Sequence, residues 1–505
     1  MTQTIKSNNK FKTIIIFFER NMKKLSLLVS LMIFALTASM TVSAQDPVKT
    51  FEKPWKNGKL RVSDNGTYLQ HENGKPFFWM GETGWLLPER LDRSEVSYYL
   101  SGCREAGFNV VQIQTINNVP AINFYGQLSH VDGWDFSEIN RKGVYGYWDH
   151  MDYIVNQAES QGIYIAMVPI WGGLVKAGLM SVDDAEAYGR FLAERYKDSP
   201  NIIWVMGGDV RGDINPDQWN KMARTIKSID KNHIMSYHPF GRTSSITWFH
   251  NAEWLDFNMF QSGHRRYDQV RGDGDDRAEA SKAEDNWRYV EAGLAMKPRK
   301  PILDAEPSYE EIPQGLHDPS QPWWKAPDVR RYAYWSVFAG SFGHTYGHNS
   351  IMQMLKPANN GGYGATKTWY EGMKDPGFNQ MKYLKNLMLS FPFFERVPDQ
   401  SIIAGENGVR YDRLSATRGN EYLLVYNYTN RSMEIDLTKI SGKKKNAWWY
   451  DVTNGSLEYI GEFDSKVTTF RFDGGHGAGN DRVLIAIDSA KDYIGKDWNE
   501  IPTRF

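Results

Sequence analysis

The middle of the chain alternates short, strongly apolar runs with longer stretches whose apolar residues recur at helical spacing. Eight runs have the length and composition of strands: residues 77–80, 109–115, 164–170, 202–206, 234–237, 257–260, 302–305 and 341–345. Continuous apolar runs bounded by turn residues read as strands buried on both faces. The intervening helices have legible ends. Ser94 is the expected cap of a helix whose Val96, Tyr99, Leu100, Cys103 and Ala106 share a face, stopped by Gly107. Ser181 and Asp184 have capping-box spacing ahead of Ala185, Tyr188, Phe191, Leu192 and Tyr196. Trp148, Met151, Ile154, Val155 and Ala158 mark a third helix, closed by Gly162, and Asp328 opens a very apolar fourth. Strand and helix alternating eight times predict an α/β fold, a parallel (β/α)8 TIM barrel. A doubly wound open sheet would show the same alternation, but no glycine-rich phosphate fingerprint follows any strand.

The pattern changes at both flanks. Residues 59–62 and 68–70 surround Asp64-Asn65-Gly66, a hairpin signal. Past Phe394 come short strands, 409–414, 422–426, 433–437, 447–451, 468–472 and 483–487, with turns at Arg418-Gly419-Asn420 and Asn454-Gly455. A barrel domain over 45–394 is therefore expected to carry a small C-terminal antiparallel β-sandwich over 395–505. At the N-terminus Lys23-Lys24, an apolar run over 25–36 and Val42-Ser43-Ala44 fit a signal peptide over 1–44, with Met22 as an alternative start. The apolar run is short for a membrane span. Export is expected, to a periplasm first and to the medium second.

Bulk properties narrow the function. A net charge of −1 gives no electrostatic footprint for nucleic acid. The one cysteine, Cys103, falls on an apolar helix face and excludes both intrachain disulfides and a thiolate zinc cluster. The 18 Trp and 27 Tyr suit sugar faces as well as cores.

Two runs end in a carboxylate: Asn201-Ile-Ile-Trp-Val-Met-Gly-Gly-Asp209 and Pro301-Ile-Leu-Asp-Ala-Glu-Pro307. Barrel active sites form at the C-terminal ends of the strands. Asp209 would end the fourth strand and Glu306 the seventh, facing each other across the mouth. Gly207 and Gly208 allow a sharp bend before Asp209, and Pro307 fixes the chain direction after Glu306. A pair of carboxyls so placed is what glycosidic bond cleavage requires. The same rim offers Glu82, Thr83 and Trp85 after the first strand, Gln112 and Gln114 on the second, and Trp171 after the third. Tyr237 and His238 follow the fifth, Gln261 and His264 the sixth, and His344, Tyr346 and His348 the eighth. Amides that take hydroxyls and rings that stack on C–H bonds make Glu82, Trp85, Gln114, Trp171, Tyr237, His238, Gln261, His264 and Tyr346 the candidate substrate-binding residues. Neither a cofactor nor a metal is expected. Glycines 343 and 347 interrupt any helix aligning His344 with His348, and Asp273-Gly-Asp275-Asp276 lacks the distal Glu of a calcium loop. No G-x-S-x-G elbow occurs. The segment 265–277 reads as the longest irregular stretch in the barrel, and its Arg265, Arg266 and Arg271 are candidates for holding an anionic group.

The stretches Pro76-Phe-Phe-Trp-Met-Gly-Glu-Thr-Gly-Trp85, Phe108-Asn-Val-Val-Gln-Ile-Gln114, the fourth-strand run to Asp209 and Ile302-Leu-Asp-Ala-Glu-Pro307 resemble the apiosidase family, glycoside hydrolase family 140. The likeness extends from about Trp55 to Ile487, and the family's C-terminal domain bears a collagen-binding label that nothing in these residues supports. The resemblance implies a retaining β-apiosidase that cuts the apiose–galacturonate linkage of rhamnogalacturonan-II, a plant cell-wall pectin. Asp209 would then be the acid/base and Glu306 the nucleophile, with carboxyls about 5–5.5 Å apart. The related clan places Asn-Glu where this chain has Gly208-Asp209, so its usual Asn contact to the sugar 2-OH is in doubt. A uronic acid leaving group calls for a nearby cation, one of the loop arginines or Arg242. A barrel glycosidase acting on another glycan, and an exported glycan-binding protein without catalysis, are the competing readings.

Overall fold

The computed structural model of the protein describes residues 53–133, 135–269 and 284–494. The export segment over 1–44, Arg271, the Asp273–Asp276 run and Arg277 lie outside them. Among the described residues no helix is long and apolar enough to cross a membrane.

A small antiparallel meander leads in: β1 (Leu60–Val62), β2 (Leu69–His71) and β3 (Pro76–Phe77). Phe77 therefore belongs to the meander, and the first barrel strand starts later than its apolar run. The barrel strands are β4 (Trp79–Thr83), β5 (Val110–Gln114), β6 (Tyr164–Val168), β7 (Ile202–Gly207) and β8 (Met235–His238). After the short β9 (Thr243–Ser244) come β10 (Asn258–Gln261), β11 (Ile302–Asp304) and β12 (Gly343–Tyr346). Six of them form one parallel sheet in the order β12-β4-β5-β6-β7-β8, and β10 pairs in parallel with β11. The seams closing the cylinder use few backbone bonds, and serine hydroxyls stand in for ladder donors. At β8 and β10 the Asp256 N–H donates to Met235 O at 2.9 Å and Ser236 Oγ to Phe257 O at 2.6 Å; at β11 and β12 Ser341 Oγ donates to Ile302 O at 2.9 Å.

The outer ring contains α1 (Arg93–Glu105), α2 (Tyr147–Gln161), α3 (Val182–Tyr196), α4 (Pro216–Ile229), α5 (Trp287–Ala295), α6 (Ala326–Phe338) and α7 (Pro376–Leu389). The fifth connection holds only the single turn Ile246–Phe249. Two starts differ from the sequence expectation. The cap of α1 is Asp92, in a capping box with Glu95, and Ser94 instead donates its hydroxyl to Asp92. Helix α6 begins at Ala326, where Pro327 fits the first turn, so Asp328 is its third residue, accepting the Lys325 N–H. The Ser181–Asp184 box and the left-handed Gly162 stop are as expected. Cys103 is fully buried on α1. The connection over residues 115–146, folded on itself through Ile122–Leu128 and His130–Ile139 bridges, is longer than the 265–277 segment expected to be longest.

The C-terminal part is an antiparallel sandwich: β13 (Val397–Pro398), β14 (Leu414–Arg418), β15 (Tyr422–Asn427), β16 (Met433–Asp436), β17 (Lys444–Asp451), β18 (Leu457–Asp464), β19 (Val467–Phe470) and β20 (Arg482–Asp488). Its large sheet has the order β13-β14-β15-β20-β17-β18, with the β16–β19 pair as the second layer. The run 409–414 is not a strand. Gly408 and Arg410 take left-handed φ of +82° and +52°, which breaks the extended chain into a turn. Strand β18 was missed because it is an edge: half its residues meet solvent, and its alternation is diluted by charge.

Residue alternation in the large sheet splits its two faces. Leu423, Val425, Trp449 and Leu484 fill the sandwich core, whereas Tyr422, Leu424, Tyr426 and Ile485 join the barrel core through α6. Two buried ion pairs reinforce this contact. Arg330 grips Asp481 with two bonds of 2.9 and 2.6 Å, and Tyr426 completes the carboxylate. Arg331 pairs with Glu284 at 2.6 Å among the rings of Tyr411 and Tyr428. Breaking one such pair by removing a partner costs about 3–5 kcal/mol, because the other charge stays buried.

Candidate active site

At the C-terminal end of the strands a cavity of about 460 Å³ opens, and both sequence-derived carboxylates line it. A second cavity of about 340 Å³, bounded by Trp55, Tyr164, Lys197 and His233, lies at the opposite, N-terminal end of the strands, where barrels build stability rather than chemistry.

The acid at the end of β7 is reached through three consecutive left-handed residues, with φ of +89° at Gly207, +103° at Gly208 and +51° at Asp209. L-residues resist this region, so the first two positions take glycine. Space makes the same demand. A Cβ on Gly207 would stand 2.3 Å from His238 O, and one on Gly208 would stand 2.5 Å from the Trp171 ring. The turn thus wedges Asp209 between β6 and β8. Its amide approaches His238 Nδ1 at 3.5 Å, and its carboxyl accepts the Gly241 N–H. Gly208→Ala should cost about 2–4 kcal/mol from φ strain and overpacking together. The turnover that survives should fall about 100-fold, because the carboxyl is displaced. Denaturant unfolding and kcat/KM on the same preparation would check both.

Glu306 sits beyond β11, opposite. Gln112 reaches through the barrel interior to donate to Ala305 O at 3.0 Å, which holds the peptide that precedes Glu306. His264 Nε2 bonds Glu306 Oε1 at 3.2 Å, and His238 Nε2 stands 3.2 Å from Oε2. Tyr309, buried against Glu306, accepts the Trp85 Nε1–H at 3.2 Å.

These surroundings drive the two carboxyls apart. Burial, and then the neighbouring Glu306 charge, push Asp209 up from 3.8 to about 7 against the opposing charges of His238 and His264. Burial acts upward on Glu306 too, but hydrogen bonds from His238 and His264 together with their charge outweigh it and hold Glu306 below the usual glutamate range. One carboxyl kept protonated beside one kept ionised is the division of labour that acid–nucleophile catalysis uses.

Of the candidate binding residues, Trp85, Gln114, Trp171, Gln261 and His264 line the cavity. Trp85 and Trp171 pack at 5.3 Å between ring centres, and the Gln114 and Gln261 Oε1 atoms are buried without a protein partner. His238 stands behind the wall, as a support for both acids. Glu82, Tyr237 and Tyr346 do not reach the cavity. Glu82 is turned into the barrel wall, where the Tyr99 hydroxyl donates to it and burial raises its pKa well above the usual value. Tyr237 donates to Val210 O at 3.1 Å beneath the acid loop, and Tyr346 donates to Glu310 at 2.6 Å. Strand residues alternate between lumen and helix layer, so proximity to the rim in sequence does not fix direction. His344 and His348 are likewise engaged elsewhere, with Ser336 and Asp375. Arg266 is taken up by Asp268, Gln314 and Gln321, whereas Arg242 and Arg265 line the cavity.

Tyr309 and Tyr363 also line it and were not anticipated. Each carried a signal: Tyr309 follows Glu306 by three residues, and Tyr363 is an aromatic among glycines, Gly361-Gly-Tyr-Gly364, after the eighth strand.

Comparison with known proteins agrees with this geometry. Residues 63–395 match the family model described as "Apiosidase-like, catalytic domain", and residues 397–487 match a model named for a collagen-binding domain of a collagenase. No curated protein matches the chain. A solved structure named glycoside hydrolase is 66% identical, covering 88% of this chain and 100% of its own, with a TM-score of 0.86. Another, described as a glycoside hydrolase family 5 protein from Bacteroides vulgatus ATCC 8482, is 65% identical over 89% of this chain and 97% of its own, also with a TM-score of 0.86. The chain belongs to the apiosidase-like family and is a glycoside hydrolase.

Proposed function

We propose that the protein is a retaining β-apiosidase that hydrolyses the apiose–galacturonic acid linkage in the side chains of rhamnogalacturonan-II. The observation that carries the reading is the pair Asp209 and Glu306, set on opposite strands in one cavity and tuned in opposite directions. Glu306, ionised, attacks the anomeric carbon while Asp209 gives its proton to the departing oxygen. Water, deprotonated by Asp209, then releases the sugar from Glu306. Net retention follows from two inversions. Arg242 and Arg265, on the cavity wall, favour an acidic leaving group such as a uronate. The family match supports the choice of sugar. The pattern over residues 1–44 supports action outside the cytoplasm, on fragments of plant cell wall.

Incubation with rhamnogalacturonan-II tests this directly. Apiose should appear at the new reducing ends, initially with the anomeric configuration of the linkage, followed by proton NMR. Another sugar at those ends would refute the substrate, and initial inversion would refute the role of Glu306 as nucleophile.

A further inference from the structure

The cavity mouth carries an aromatic residue that the chemistry above leaves unused. Tyr363 is 40% exposed and lines the same cavity as Asp209 and Glu306, and the charges of both are felt at its hydroxyl. It belongs to the loop over residues 356–368, downstream of β12. Its φ is +54°, and that of Gly364 is +69°. Left-handed backbone at an exposed aromatic costs stability and persists only where the surroundings enforce it. Here they do. Buried Asn349 donates to Tyr363 O at 3.0 Å. Gln353 donates to Gly362 O at 3.2 Å, accepts the Gly362 N–H at 2.6 Å, and is itself locked to the Asn349 side chain at 2.7 Å. On the other side Gly364 is seated against Trp323 and Pro319 of the loop that follows β11. The same loop brings His317 within 5.9 Å of the Tyr363 ring, and His317 also lines the cavity. Two amides, buried Asn349 and half-buried Gln353, thus hold the backbone in an unfavourable turn, and what the turn achieves is to hang one ring over the mouth.

We propose that Tyr363, backed by His317, is the stacking platform for a sugar ring of the substrate at the cavity mouth, a specificity-determining contact for the glycoside bond cut below it. An aromatic face offers the C–H side of a sugar ring an apolar surface at low entropic cost. The inference deepens the glycosidase reading but does not depend on apiose. It concerns whichever glycoside the wild type turns over.

The test compares Tyr363→Phe, Tyr363→Ala and Tyr363→Asn with wild type on that glycoside. The phenylalanine variant should stay within about twofold of wild type in kcat/KM. The alanine and asparagine variants should lose about tenfold or more, mainly through KM. Asparagine tolerates the left-handed region, so Tyr363→Asn should melt no lower than wild type while losing activity, which separates a substrate contact from a structural one. If a correctly folded Tyr363→Asn or Tyr363→Ala keeps kcat/KM within twofold of wild type, the platform is refuted. Failure of rhamnogalacturonan-II as substrate would overturn the apiosidase reading alone, since the comparison is then made on the glycoside that is cleaved.

Discussion

Glu306→Gln is expected to leave a folded protein that binds glycan and has lost about 10⁴-fold or more of its turnover, the scale on which single members of a catalytic pair are felt. The exchange is nearly isosteric. Of the two histidines that now stand 3.2 Å from separate oxygens of Glu306, one can still donate to the Gln amide oxygen while the amide NH2 faces the other, a local mismatch that the fold should survive. What disappears is the negative charge that, in the proposed mechanism, attacks the anomeric carbon. Steady-state turnover measured beside binding by calorimetry checks the result. A protein whose role were glycan capture would bind as before with nothing to lose, so retained turnover would remove Glu306 from the chemistry.

Asp209→Asn has the second large effect, and it runs in two directions. Turnover falls, because no proton is available for the leaving oxygen. Stability rises, but only in one pH range. Unfolded, Asp209 ionises near 3.8; folded, beside Glu306 and away from water, near 7. Between these values the folded state keeps a proton that the unfolded state has released, so stability declines as pH rises, and the loss is complete above about pH 7. At its upper limit the loss is about 4 kcal/mol. Asparagine has no such proton, so the variant should match wild type below pH 4 and exceed it increasingly up to about pH 7. Urea unfolding at pH 4 and pH 8 reads the difference; equal gains at both would show that the carboxyl is not strained by its charge. If Asp209 is the proposed acid, the same ionisation should set the basic limb of kcat/KM in the wild type, with activity falling as pH rises through about 7.

These two residues were legible in the chain because each ends a run that is apolar on both faces, and a buried parallel strand in a barrel delivers its last residue to the rim. The eight strands were legible for the same reason. Where a strand is an edge, as at 457–464, water replaces the neighbour that would have required apolar residues, and the signal fades. Boundaries set by capping chemistry slipped where two residues competed for one role, as Asp92 and Ser94 did at α1.

The linear pattern therefore determined the barrel, the sandwich, the pair of acids and the glycines that bend the chain before Asp209, since each depends on a local run or a short spacing. Tertiary structure alone decided which rim residues face the cavity. Glu82, Tyr237 and Tyr346 point into the barrel wall, and Tyr309 and Tyr363 arrive from loops. It also decided the opposite ionisation of two chemically similar carboxyls. That difference arises from burial, from two histidines contributed by β8 and the segment after β10, and from the charge each acid imposes on the other, all of them interactions between residues far apart in the chain.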